Sequence, residues 1–172
     1  MVQSVELLLD DAAEAEVRRQ WRLLAEAGVH SPASDHRPHV TLGVARQIWP
    51  RIEQALGALE FRPVPARLGG LLVFGARNPI LVRSVVPSEA LLDLHQRVFS
   101  VLAPCPGVPA NVRPDAWTPH VTLARRVKPQ QIGEAVHAVA TDRDFPATFV
   151  GIRRWDGDRR RDWPVADRDE AR

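Results

Sequence analysis

Pro38-His39-Val40-Thr41-Leu42 recurs as Pro119-His120-Val121-Thr122-Leu123, and this doubled phrase constrains the fold more than any other feature of the chain. In an extended strand side chains alternate between faces. His39 and Thr41 therefore share one face, Val40 and Leu42 the other, and the second copy does the same. The apolar pair anchors each strand to a core, which frees an imidazole and a hydroxyl to line a cleft without burying an unsatisfied polar group. Two such strands facing one another would form a single site.

The rest of the chain repeats around these phrases. Val5 to Leu9 reads as a short buried strand, followed by a helix with Val17, Trp21 and Leu24 on one face and a stop at Gly28. A polar loop, His30 to Pro38, leads into the first motif strand. A second helix follows, tolerating Pro50 in its first turn and presenting Ile52, Ala55, Leu56 and Leu59. Phe61 to Phe74 reads as two strands broken near Gly69-Gly70. The order then restarts. Ile80 to Val86 is an apolar strand, and Pro87-Ser88-Glu89 opens a helix faced by Leu91, Leu94, Val98 and Val101. A Pro-rich loop, Ala103 to Pro114, precedes the motif strand Trp117 to Ala124; Pro129 starts a helix with Ile132, Ala135, Val136 and Val139, and Phe149 to Ile152 closes the pattern. The histidines lie 81 positions apart (120 minus 39), so the chain reads as two half-repeats, about 3–75 and 79–155, rather than a repeat array. One domain over 1–160 and a charged tail over 161–172 are expected. Strands alternating with helices leave a parallel doubly wound sheet open.

Composition narrows the class. The 172 residues, 45% hydrophobic and 26% charged, suffice for one core or two small lobes. A net charge of +2 with a pI of about 9.4 allows a phosphate-bearing partner without demonstrating a strong nucleic-acid field. Cys105, the only cysteine, excludes an intramolecular disulfide, and a cytosolic protein is expected. The Val2 to Leu9 stretch carries Glu6 and runs into Asp10-Asp11, unlike a signal peptide. No segment approaches a membrane span.

Paired His-x-Thr-hydrophobic motifs in a duplicated chain of this size resemble the two-histidine phosphoesterase superfamily, in particular its 2′-5′ RNA ligase-like and cyclic phosphodiesterase branch. The resemblance covers roughly residues 3 to 155 and includes Phe74-Gly75-Ala76-Arg77, the Leu-x-x-Leu-His pattern ending at His95, and Trp117 to Arg125. It implies an α+β fold, bilobed, with two pseudo-twofold-related lobes of mainly antiparallel sheet and outer helices around a central cleft. It also implies catalysis by His39, Thr41, His120 and Thr122.

The chemistry stands without the family. Opening a 2′,3′-cyclic phosphate or related phosphodiester takes a proton from the attacking water and gives one to the leaving oxygen. Imidazole titrates near neutrality, so one histidine can act as base and the other as acid. Thr41 and Thr122 can donate to the non-bridging oxygens. No cofactor or metal is needed; the resemblance implies as partner an RNA end or nucleotide with a cyclic phosphate, and a monomer is expected. Arg77, Arg83, Arg125 and Arg126 are candidate phosphate contacts. If the second motif strand continues regularly, Arg126 shares the face of His120 and Thr122, whereas a bulge brings Arg125 there instead. Phe74 and Trp117 could stack on a base, with core packing as the alternative. Specificity is assigned to the loops His30 to Arg37 and Ala103 to Asp115.

Three other readings are weighed. Each motif taken singly could be an ordinary strand with a β-prone threonine. His30, Asp35, His36 and His39 could bind a metal in a hydrolase, although this leaves the second motif unexplained. The fold could also bind RNA without turnover, but the intact motifs and a single lysine, Lys128, argue against that.

Overall fold

The computed structural model describes residues 2–32, 36–140 and 143–167, the side chains of 166 and 167 excepted. Seven strands and four α-helices follow in the order β1 (Gln3–Leu9), α1 (Asp11–Glu26), β2 (His39–Ala45), α2 (Pro50–Gly57), β3 (Val64–Phe74), β4 (Ile80–Val85), α3 (Glu89–Leu102), β5 (His120–Ala124), α4 (Ile132–Val139), β6 (Phe145–Asp156) and β7 (Arg161–Asp167). The helices start where local chemistry allows. Asp10 accepts a hydrogen bond from the Ala13 N–H and Ser88 from that of Leu91, each satisfying a free first-turn donor. Pro50 stands in the first turn of α2, where a missing N–H costs nothing. Gly28 closes the first helical segment with φ +70°, a conformation that favours glycine.

The sheet order is β1-β2-β5-β4-β3-β6-β7, and β6 also pairs with β1, so six strands close into a ring with β7 added along the second part of β6. Every pairing is antiparallel, which replaces the parallel alternative. The strands of both halves join in this one ring. Exchanging β1 with β4, β2 with β5 and β3 with β6 leaves the set of neighbouring pairs in the ring unchanged, with β2–β5 and β3–β6 each mapped onto itself. Two sequence expectations change. Phe61 to Phe74 gives one strand, whose pairing with β4 shifts between Leu68 and Leu71, so Gly69-Gly70 mark a bulge rather than a break. The expected tail is strand β7 over Arg161–Asp167, because the far half of β6 has an edge to be paired; residues 168–172 lie outside the described residues.

One face of the ring is apolar and covered by helices. Val5, Leu7, Val40, Leu42, Val121 and Leu123 are buried there, beneath Val17 and Leu24 of α1 and Leu91, Leu94 and Val98 of α3. Complete burial of such a side chain contributes about 1.5–3 kcal/mol. The helices pack crosswise: α1 lies against β5 and α3 against β2. Ala55, expected on the buried face of α2, is exposed, and Ile52 and Leu56 hold that helix instead. Cys105 is a buried free thiol. No helix among the described residues is long and apolar enough to cross a membrane.

Candidate active site

The two motif strands are neighbours, paired antiparallel at a single point, Val40 opposite Val121. These are the same position in the two copies. Continued by one residue each way, the register sets His39 across from Thr122 and Thr41 across from His120, on the face the helices leave open. Immediately after each threonine the alternation breaks. Against β1, Glu6 pairs with Thr41 but Val5 with Gly43; against β4, Val82 pairs with Thr122 but Leu81 with Ala124. Leu42 and Leu123 are therefore equivalent bulge residues, and each keeps its side chain in the core. An indole N–H meets the carbonyl at each bulge: Trp117 Nε1 donates to Thr41 O at 2.9 Å and Trp21 Nε1 to Thr122 O at 3.0 Å.

Both imidazoles are oriented alike. His39 Nδ1 donates to Arg37 O at 2.9 Å and His120 Nδ1 to Thr118 O at 2.7 Å. A carbonyl only accepts, so Nδ1 carries hydrogen in each ring and Nε2 is left to take or give the mobile proton. Neither threonine hydroxyl has a hydrogen-bond partner among the described residues, so both are available to a ligand. Burial, then the positive charges of Arg125 and His39, hold the His120 pKa below the ordinary histidine value, although its bond to Thr118 pulls the other way.

The remaining candidates divide. Phe74 sets its ring edge against His120, centroids 4.9 Å apart, and forms a wall of the site outside the main core. Arg125 is the arginine whose charge reaches His120, as a bulge implies; the strand ends at Ala124, and Arg126 follows in a left-handed conformation, φ +54°. Both are exposed, as is Arg77 on the β3–β4 turn. Trp117 lies behind Thr41 with one ring face stacked on His95, centroids 3.8 Å apart, so that face is unavailable to a base. Arg83 is a correction: it is 2% exposed on the helix side, donating to Gln20 Oε1, Gly69 O and Val139 O. Charge alone had made it a phosphate candidate, but its place opposite Val121 turns it into the core. Of the proposed metal ligands, Asp35 lies outside the described residues, and among the described ones no three His, Cys, Asp or Glu side chains gather as a metal site would require.

Two residues were given no part in the site by the sequence, His95 entering there only through the Leu-x-x-Leu-His pattern. Glu6 is buried on β1 with Oε1 3.5 Å from His39 Nε2. His95 is 1% exposed; its ring nitrogens lack hydrogen-bond partners, the backbone of Val112 and Leu42 lying close without good geometry. Burial lowers its pKa. The folded protein thus refuses a proton that the unfolded chain takes at about pH 6.5, so His95 and His120 make stability rise with pH and fall below that value. We expect the urea midpoint to drop between pH 7 and pH 5, and less so in His95→Phe, which keeps a ring against Trp117. An unchanged pH dependence in the variant would refute this.

Comparison with known proteins bears on the family and the fold. Residues 9–159 match the 2′-5′ RNA ligase superfamily. No curated protein matches in sequence. Among solved structures, TT0787 of Thermus thermophilus is similar with a TM-score of 0.63 at 21% identity, covering 91% of this chain and 88% of its own. Escherichia coli LigT complexed with 3′-AMP gives 0.59 at 18%, covering 94% and 92%. Kluyveromyces marxianus Usb1 with uridine monophosphate gives 0.59 at 17%, covering 96% and 98%. At these identities the structures speak for the fold, whereas the sequence match covers most of the chain and both motifs: the protein belongs to the 2′-5′ RNA ligase superfamily.

Proposed function

We propose that the protein is a metal-independent phosphoesterase that opens a 2′,3′-cyclic phosphate or a 2′-5′ phosphodiester of RNA or a nucleotide by two-histidine acid–base catalysis. The observation that carries this is the pair of imidazoles on adjacent strands, each tied through Nδ1 so that Nε2 is the nitrogen left for the mobile proton. One neutral histidine takes a proton from the attacking water. As the new P–O bond forms and the sugar oxygen departs, the other histidine, protonated, gives its proton to that oxygen. Thr41 and Thr122 donate to the non-bridging oxygens, where negative charge builds. Arg125 adds a cation nearby, and Phe74 limits how the substrate approaches His120. Relatives bearing 3′-AMP and uridine monophosphate support a nucleotide-sized substrate. The site is read as a product of duplication, with a local twofold axis between Val40 and Val121 relating the half-repeats 3–75 and 79–155 within one domain; the exchangeable ring order and the paired bulges support this.

The test is a screen of purified protein against 2′,3′-cyclic nucleotides and short RNAs with cyclic ends, in excess chelator and without ATP. Turnover is expected, with a bell-shaped pH dependence whose limbs belong to the coupled histidine pair. Binding without turnover, or turnover only after metal is restored, would overturn the proposal.

A further inference from the structure

The two halves differ most sharply beside one histidine. In the ring, Thr41 is flanked by Glu6 of β1, and beyond it lies Arg153 of β6. The matching positions beside Thr122 are Val82 of β4 and, beyond it, Leu72 of β3. A charged pair thus stands where the other half has an apolar pair. Glu6 is 4% exposed; its Oε2 accepts from Arg153 Nε at 2.8 Å and its Oε1 from Ser4 Oγ at 2.6 Å. Arg153 is braced in turn by Asp162 of β7, at 3.1 Å. The same Oε1 lies 3.5 Å from His39 Nε2, an ion-pair distance.

Stability is a poor reason for such an arrangement. Desolvating two charges is expensive, and replacing a buried ion pair with packed apolar side chains is often neutral or stabilising. The place that Glu6 takes beside Thr41 is held beside Thr122 by Val82, which is fully buried, so the sheet accepts an apolar residue there; Leu72 beyond it is 38% exposed. The ion pair instead places a fixed negative charge beside one of two otherwise equivalent imidazoles. We propose that Glu6, pinned by Arg153 and Ser4, is a positioning residue that holds His39 as an imidazolium directed into the cleft, making His39 the general acid and His120 the general base for opening a cyclic phosphate. The inference rests on the two-histidine reading above. The groups around His39 agree with it: His120 and Thr122 face it from β5, Arg37 offers only its carbonyl, to Nδ1, and Glu6 is the carboxylate at Nε2. On the other side, Arg125 and burial favour a neutral His120.

The experiment is a pH–rate profile for Glu6→Gln beside the parent, with His39→Ala and His120→Ala as references. A carboxylate favours the protonated ring, so its removal should move the alkaline limb to lower pH by about one unit. At neutral pH kcat should fall about tenfold while KM stays within about threefold, because the loss lies in proton delivery rather than in binding. Glu6→Asp, which keeps the charge, should move the limb less. NMR titration of the His39 ring should shift in the same direction, a readout independent of turnover. Should Glu6→Gln fail to fold, the double variant Glu6→Val/Arg153→Leu copies the Val82/Leu72 pair and should show the same displaced limb. A folded variant with an unmoved alkaline limb, while both His→Ala variants are inactive, would reduce Glu6 to a structural role. Activity persisting in the His→Ala variants would instead remove the two-histidine reading itself.

Discussion

Replacing His39 or His120 with alanine is expected to lower turnover severely, by at least the roughly 10²- to 10⁴-fold that one positioned acid or base supplies. The double replacement should cost little more than the worse single one. Proton removal from water and proton delivery to the leaving oxygen belong to one cycle, so losing either interrupts it, and residues that act as a unit give strongly non-additive losses. Circular dichroism should show both variants folded. His39 is only partly buried and its ring makes a single hydrogen bond, to Arg37 O; His120 is likewise half-buried with one bond, to Thr118 O. Near-full activity in either folded variant, on every phosphodiester that the parent cleaves, would end the catalytic reading.

Thr41→Ala and Thr122→Ala should cost less, on the order of 10- to 1000-fold in kcat, because each removes one donor to a phosphate oxygen while proton transfer survives. Both hydroxyls lack protein partners among the described residues, so their loss leaves no buried group stranded and the fold should tolerate it. Valine at either position tests the same point in nearly the same volume, and equal losses for valine and alanine would locate the effect in the hydroxyl. The backbone at these positions serves a separate purpose. Each threonine carbonyl accepts an indole N–H, from Trp117 or Trp21, and that bond persists in every side-chain variant. A loss of thermal stability as large as the loss of rate would mean that the hydroxyls are structural.

The placement of the four motif residues was legible because their arrangement is local: a period-two alternation of polar and apolar side chains, written twice, identifies two half-buried strands and the face that the polar pairs share. The helix start at Ser88 was legible for the same reason, since an N-cap is a contact between near neighbours in sequence. The bulges at Leu42 and Leu123 could not be read, because an extra residue is defined only against the strand beside it. They decide which arginine lies near His120, Arg125 rather than Arg126. Arg83 looked like its fellow arginines until the register placed it opposite Val121, in the core. Glu6 stood inside an apolar strand with no signal of its own, 33 residues before the histidine it approaches (39 minus 6).

The sequence by itself displayed the doubled motif and most of the strand and helix order, and it singled out His39, Thr41, His120 and Thr122 as the candidates for moving protons and holding a phosphate, because these follow from side-chain type and short-range periodicity. Only the tertiary structure decided that the two halves close into one antiparallel ring, that the motif strands touch at Val40 and Val121, and that Glu6 with Arg153 lies beside one histidine while Val82 with Leu72 occupies the matching place beside the other. Strand pairing and register are set by contacts between residues far apart in the chain, and an electrostatic difference between two identical motifs comes from their neighbours across the sheet rather than from the motifs.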